Sequence, residues 1–353
     1  MASQTLLLLL VVMICFSFGN TLKFCDAECS ERRNTIVIIG RGGLNERLFL
    51  YSKMSGVANY LCAQLAIPSP HESLAAHYNR YKTISRNMTW QDFMVMQAPR
   101  HHCGDDSIVI QSVSGTSKSG LLVVSNISAA VNCKTQDISF VWVMHDEIVR
   151  TPTANLLSNI TTYVQNDILS RGISWQLSDL DVTFDMSPFM RNHSKQIIAN
   201  SNLTMNQFIV FHVRRGDLKR LCNSELEHIP SVLQHAFRNC PFYDSTTNTV
   251  STELSHLPVV FFSDDGNFIY RSEVMRAIRE IGFVTSIDGD YVIQQYVQDE
   301  LSEMYFNNYV TFRIATAIQL YTDKIIQVHG HHGCGQSQLC GDKTLRSEQI
   351  NKW

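Results

Sequence analysis

The chain has 353 residues, enough for one large domain or two ordinary ones that fold without metal or disulfide staples. Charged residues make up 17% of it and the formal net charge is -3, with no basic block and no interleaving of basic and aromatic residues. Composition therefore gives a nucleic-acid partner no support, and any bound anion must be met by local arginines.

Thr5 to Phe18 is almost uninterruptedly apolar and is followed by Gly19, Asn20 and Thr21. A membrane span needs about 20 apolar residues, and no Lys or Arg precedes the run. Residues 1–20 thus read as a secretory signal peptide or an uncleaved type II anchor. Either places the remainder in the secretory lumen, ER or Golgi, or outside the cell, with a membrane partner only if the anchor is kept. The sequons at Asn87, Asn126, Asn159, Asn192 and Asn202 agree with that placement.

Ten cysteines are present and Cys15 falls in the leader, which leaves an odd number. Close spacings suggest Cys25 with Cys29, Cys222 with Cys240 and Cys334 with Cys340, although spacing does not determine connectivity. Cys62, among apolar residues of an expected helix, is the expected buried free thiol. Neither Cys103 beside His101 and His102 nor Cys334 beside His329, His331 and His332 has zinc-ligand spacing, so no metal site is expected.

Asn34 to Ile39 is a β-branched run ending at Gly40. Leu44, Leu48, Tyr51, Met54, Ala58, Leu61 and Leu65 then recur at spacings of three and four, which predicts one long helix ending before Pro68. Short apolar strands are expected at Ile108 to Ile110, Leu121 to Val124, Ile138 to Met144, Phe208 to Val213, Val259 to Phe262 and Ile325 to Val328. Helical patterns at Ile229 to Phe237, Tyr270 to Ile281 and Tyr309 to Tyr321 supply crossovers, so the strands are expected to run parallel. The expected division is an N-terminal domain over 31–195 and a C-terminal Rossmann-like domain over 196–353.

Three segments follow expected strand ends: GRGGLNERLF from Gly40, HVRRGD from His212 and FFSDDGNF from Phe261. Glycines let a backbone approach a ligand closely, and a helix N-terminus offers N–H groups to an anion. The first segment is not a dinucleotide fingerprint, since Asn45 replaces the third glycine and no Asp or Glu follows from Tyr51 to Pro70; it also lacks a GK[ST] ending. Arg214 and Arg215, at a strand end where open α/β sheets bind ligands, suit phosphate oxygens through their planar forks. Structural salt bridges with Asp217 are the alternative. Ser263, Asp264 and Asp265 could hold sugar hydroxyls or a ribose, or an aspartate could cap the next helix.

In this order, the GGLN-R-LF, HVRRGD and SDD segments resemble the fucosyltransferase superfamily of α1,2-, α1,6- and protein O-fucosyltransferases. The resemblance covers Ile36 to Ala66 and Asn206 to Gly330. It implies an α/β, GT-B-like build, with two Rossmann-like domains whose parallel sheets face each other across a cleft. It also implies an inverting, metal-independent glycosyltransferase that needs no cofactor and uses GDP-fucose as donor. By position, Arg214 would contact the β-phosphate and Asp217 would be the important acidic residue. His212 would help hold the nucleotide and Arg215 would buttress it. Gly42, Gly43 and Asn45 would reach the diphosphate, and Asp264 and Asp265 would be the required carboxylate pair.

Two departures stand out. Gly42 occupies a place where some members carry a glutamate as candidate base, leaving Glu46 and Asp217 as the nearby carboxylates. The stretch Phe312 to Leu320 lacks the aspartate with which α1,6 enzymes grip guanine, and Asp323 begins the next strand. An inactive secreted glycan-binding protein and a nucleotide-sugar hydrolase are the alternatives. The acceptor is a glycan or a protein hydroxyl; Trp90, Trp142 and Trp175 are residues that stack on sugars or pack in cores.

Overall fold

A computed structural model describes residues 34–39, 42–74, 84–100, 110–113, 122–124, 126–135, 138–145, 154–213, 243–244, 246–247, 249–250, 252–263, 266–328 and 337–338. The leader, the three close cysteine pairs, both histidine clusters and the expected helix at Ile229 to Phe237 lie outside these residues. The chain divides into two compact units, Met1–Ala75 with Val95–Asp185, and Ala76–Met94 with Met186–Trp353.

The first unit is built on five parallel strands: β1 (Asn34–Ile39), β2 (Ala63–Pro68), β3 (Ile110–Val113), β4 (Leu122–Val124) and β5 (Phe140–His145). Their order is β3-β2-β1-β5-β4. Helix α1 (Leu44–Tyr60) follows β1, and all seven residues of the expected apolar stripe are buried. The helix is shorter than its pattern. Leu61 caps it, Cys62 takes a left-handed backbone at φ 50, and the next residues form β2. Leu65 thus belongs to a strand between β1 and β3, where burial on both faces asks for a continuous apolar run that periodicity cannot tell from a helix.

Helices α2 (Ile127–Thr135) and α3 (Ala154–Ser170) also belong to this unit. Tyr60 donates to Asp167 of α3, and Asn59 Nδ2 donates to the Leu180 carbonyl at 2.7 Å, so the buried end of α1 is held by polar groups as well as packing. Trp142 is buried in β5, where it serves the core and not a sugar platform; Trp90, in the other unit, is buried too, and Trp175 is half-buried.

The second unit carries β6 (Ile209–Val213), β7 (Val259–Ser263), β8 (Ser286–Asp288), β9 (Ile325–Val328) and β10 (Ser337–Gln338), in the order β8-β7-β6-β9-β10. Four run parallel and β10 is antiparallel. Its longer described helices are α4 (Pro188–Asn200), α5 (Phe268–Glu280), α6 (Gly289–Glu300) and α7 (Asn308–Gln319). Ile209, Phe211, Val213, Val259 and Phe261 pack with Tyr270, Val274 and Ile278 of α5 in one core. Each such side chain contributes about 1.5–3 kcal/mol by leaving water.

The division expected at 195/196 falls inside α4. That helix starts at Pro188, is capped by Ser187, whose hydroxyl accepts the Met190 amide, and packs on α7, where Ser194 Oγ donates to the Ile314 carbonyl at 3.2 Å. It therefore clusters with the second unit. Among the described residues no helix is long and apolar enough to cross a membrane.

Cysteine chemistry also departs from expectation. Cys62 is disulfide-bonded, and Cys133 of α2 is a free, buried thiol. Cys62 occupies the left-handed turn between α1 and β2, not a helix interior, so its apolar sequence neighbours gave a misleading context.

Candidate active site

Both sheets reverse their strand order beside the first strand of the unit, at β1/β5 and at β6/β9. Ligands of open α/β sheets bind outside the carboxyl ends of the strands at such a switch point. The first glycine segment follows β1, and HVRRGD runs out of β6.

Register brings the second and third segments together. Val213 at the end of β6 pairs with Ser263 at the end of β7 and with Val328 at the end of β9. His212 pairs with Phe262 and Gln327. Arg214 and Asp264 are the residues that follow Val213 and Ser263 in the sequence. Arg214, Arg215, Asp217, Asp264 and Asp265 themselves lie outside the described residues.

His212 is half-buried, with its Nδ1 shielded from solvent. Ile209, Phe211 and Val213 face the α5 core, so alternation puts His212 on the opposite face. Ser263 is buried. Helix α5 is capped by Asn267, whose Oδ1 accepts the Ile269 and Tyr270 amides at 3.0 and 3.2 Å. The helix therefore does not use Asp264 or Asp265 as its N-cap, which removes the plainest structural reason for that pair.

The glycine segment is more self-contained than expected. The Gly42 amide donates to the Ser73 carbonyl at 3.2 Å, and the Gly43 amide donates to Glu46 Oε2 at 3.2 Å. Both amides expected to reach a diphosphate are thus engaged within the chain. Glu46 complements the α1 N-terminus, a structural task that accounts for its presence without a role as base. Asn45 sits half-exposed on the first turn of α1.

The missing side chain at Gly42 makes room for Arg47, since a β-carbon there would stand 3.1 Å from Arg47 Nε. Arg47, the arginine of the first segment, is fully buried. The close approach Gly42 permits is therefore made by a guanidinium of the helix that follows.

Sequence reasoning missed a second group of charges. Arg271 of α5 is buried and clamps the two carboxylates flanking Gly289: its Nε donates to Asp288 Oδ2 at 2.8 Å, its Nη2 to Asp288 Oδ1, and its Nη1 to Asp290 Oδ2 at 2.8 Å. The same Nη1 donates to the Ser263 carbonyl at 3.1 Å, and Asp290 Oδ2 accepts the Ser263 amide at 2.7 Å. Burial pushes the Asp290 carboxyl up to about 6 against the pull of Arg271. Burial disfavours the charge on Arg271, but Asp288 and Asp290 outweigh it and raise its pKa. The local signal was DGD from Asp288, with no basic residue nearer in sequence than Arg279, so only the fold pairs it with Arg271.

A hollow of about 370 Å³ lies between α4 and α6, lined in part by Ile197, Asn200, Tyr296, Asp299 and Glu300. Ile287 of β8 and Val292 near the start of α6 also line it. The hollow holds none of the sequence-predicted residues, and the switch point is the better site.

No family model matches this chain, and no curated protein matches it. Among solved structures, the chain is similar to a mutant of Arabidopsis thaliana FUT1 in complex with GDP, at 10% identity, covering 88% of this chain and 68% of that one with a TM-score of 0.41. It is also similar to a family 9 glycosyl transferase from Veillonella parvula DSM 2008, at 11% identity, covering 84% of this chain and 76% of that one with a TM-score of 0.38.

Proposed function

We propose that the protein is a glycosyltransferase that moves fucose from GDP-fucose to a hydroxyl of a glycan or protein in the secretory pathway, with inversion and without a metal ion. The carrying observation is the register that sets Val213 and Ser263 side by side at the switch point of the second sheet, with Arg214 and Asp264 next in the chain. Breaking the bond from fucose C1 to the β-phosphate leaves negative charge on GDP. Arg214 meets that charge with a fixed fork, worth several kcal/mol in a site that excludes water. Arg215 supports it and His212 helps hold the nucleotide. Asp217, Asp264 and Asp265 supply carboxylates for the acceptor or donor hydroxyls.

The five sequon asparagines are all exposed, which supports passage through the secretory lumen. In the first unit, Gly42 and Gly43 shape the turn after β1, while Asn45 is the group of that segment offered to a ligand.

The test is a panel of GDP- and UDP-sugars with mixed glycan acceptors, read by nucleotide release. GDP release from GDP-fucose that depends on acceptor supports transfer. Release without acceptor identifies a hydrolase, and glycan binding without affinity for GDP identifies a binding module.

A further inference from the structure

We infer that Asp290 is a positioning residue for this nucleotide-sugar site: its carboxylate pins the Ser263 amide at the carboxyl end of β7, and Arg271 holds the carboxylate in place. The inference rests on the proposed transferase function and extends it to Arg271 and Asp290, which lie outside the three motif segments.

The geometry is specific to one strand end. Ser263 is held through both of its backbone polar groups, the amide by Asp290 Oδ2 at 2.7 Å and the carbonyl by Arg271 Nη1 at 3.1 Å. The clamp is closed by the Arg271 to Asp290 bond at 2.8 Å and anchored by the two bonds from Arg271 to Asp288. Asp288 in turn caps α6 by accepting the Tyr291 amide at 3.0 Å. The ends of β7 and β8 and the starts of α5 and α6 are thereby joined at one point. Gly289, between the two aspartates, leaves room for the Phe262 ring, and the Arg271 guanidinium lies 5.5 Å from the centre of the Phe261 ring.

An ordinary sheet end does not need a buried arginine and two half-buried carboxylates converging on one residue. A ligand site does need a fixed exit direction for the chain, because a misplacement of 1 Å in a positioning group can cost about 100-fold in rate. The residues that follow Ser263 are Asp264 and Asp265.

The test compares Asp290→Ala, which loses the acceptor, with Asp290→Asn, which keeps an oxygen for the Ser263 amide. Amide hydrogen exchange, urea unfolding and transfer kinetics are measured on the full chain. The expected result is faster exchange at Ser263 in the alanine variant, with kcat per folded molecule down about 100-fold and with most of both restored in the asparagine variant. Should Asp290→Ala not fold, Asp290→Ser, whose hydroxyl is too short to reach the amide, is read the same way. Unchanged exchange at Ser263, or a loss of activity that follows only the unfolded fraction, overturns the inference. A wild-type protein with neither GDP affinity nor transfer defeats the proposed function instead, and the exchange measurement still decides whether Asp290 pins Ser263.

Discussion

A β-carbon on Gly289 would stand 2.3 Å from the Phe262 ring, far inside van der Waals contact. Phe262 is itself fully buried in β7, next to His212 in register, so the ring has no room to retreat. Gly289→Ala therefore has to shift α6, and with it Asp288 and Asp290. Overpacking of this kind costs about 1–3 kcal/mol. The urea midpoint should fall accordingly, and GDP affinity should drop more than in a control of equal stability loss. A midpoint within error of wild type would show that the α6 start yields freely.

Lys53 Nζ donates to Asp181 Oδ2 at 2.6 Å, yet Asp181 Oδ1 is buried without a hydrogen-bond partner, and burial pushes this carboxyl up to about 6 despite the lysine. The folded state thus binds the proton more tightly than the unfolded chain, whose aspartates titrate near 3.9. The stabilisation is full below about pH 4 and is lost as pH rises towards 6, amounting to about 3 kcal/mol at most. Asp290, raised for the same reason, adds in the same direction. Stability measured by urea unfolding should decline between pH 4 and 6.5, and Asp181→Asn should flatten part of that decline. An identical slope in the variant would remove Asp181 from the account.

Parts of this fold were open to reading and parts were not, for physical reasons. The strands ending at His145, Val213, Ser263 and Val328 were visible because each is a short apolar run closed by polar or glycine residues, and parallel strands buried on both faces have that form. For the same reason β2 was mistaken for helix: Leu61 and Leu65 fit a period of four, and only the left-handed turn at Cys62 separates them. Helix α6 was missed since Gly289 and two flanking aspartates resemble a loop, whereas Asp288 is its cap. The meeting of the β6 and β7 ends was inferable from strand order, but the Arg271 clamp was not. Its partners are 17 and 19 residues apart and only tertiary packing joins them.

Cys62, expected to be the free thiol, is disulfide-bonded, and Cys133 is free and buried. Iodoacetamide should leave both unmodified in the native protein, label Cys133 in denaturant alone, and label Cys62 only after reduction. Labelling of Cys62 in denaturant without reductant would contradict its disulfide.

Asn87, Asn126, Asn159, Asn192 and Asn202 are exposed in both units, and passage through the secretory lumen would give each access to glycosylation once the chain is made there. Protein secreted from eukaryotic cells should lose mass on treatment with a peptide N-glycosidase, in steps removed one by one by Asn→Gln changes. A secreted protein with no such loss would remove the sequons as support for a luminal route.

Arg214→Lys separates charge from geometry at the proposed site. Lysine keeps one positive charge but replaces a planar fork of donors by a single ammonium, so it cannot hold two phosphate oxygens in a fixed direction. If Arg214 acts on charge that develops as GDP departs, the loss falls on kcat more than on GDP affinity, by about 100-fold or ~3 kcal/mol, with the unfolding midpoint unchanged. If it only helps bind the donor, KM rises and kcat holds. Steady-state kinetics with GDP-fucose varied at saturating acceptor distinguish the two, and a variant with wild-type kcat and KM would end the case for Arg214 at the leaving group.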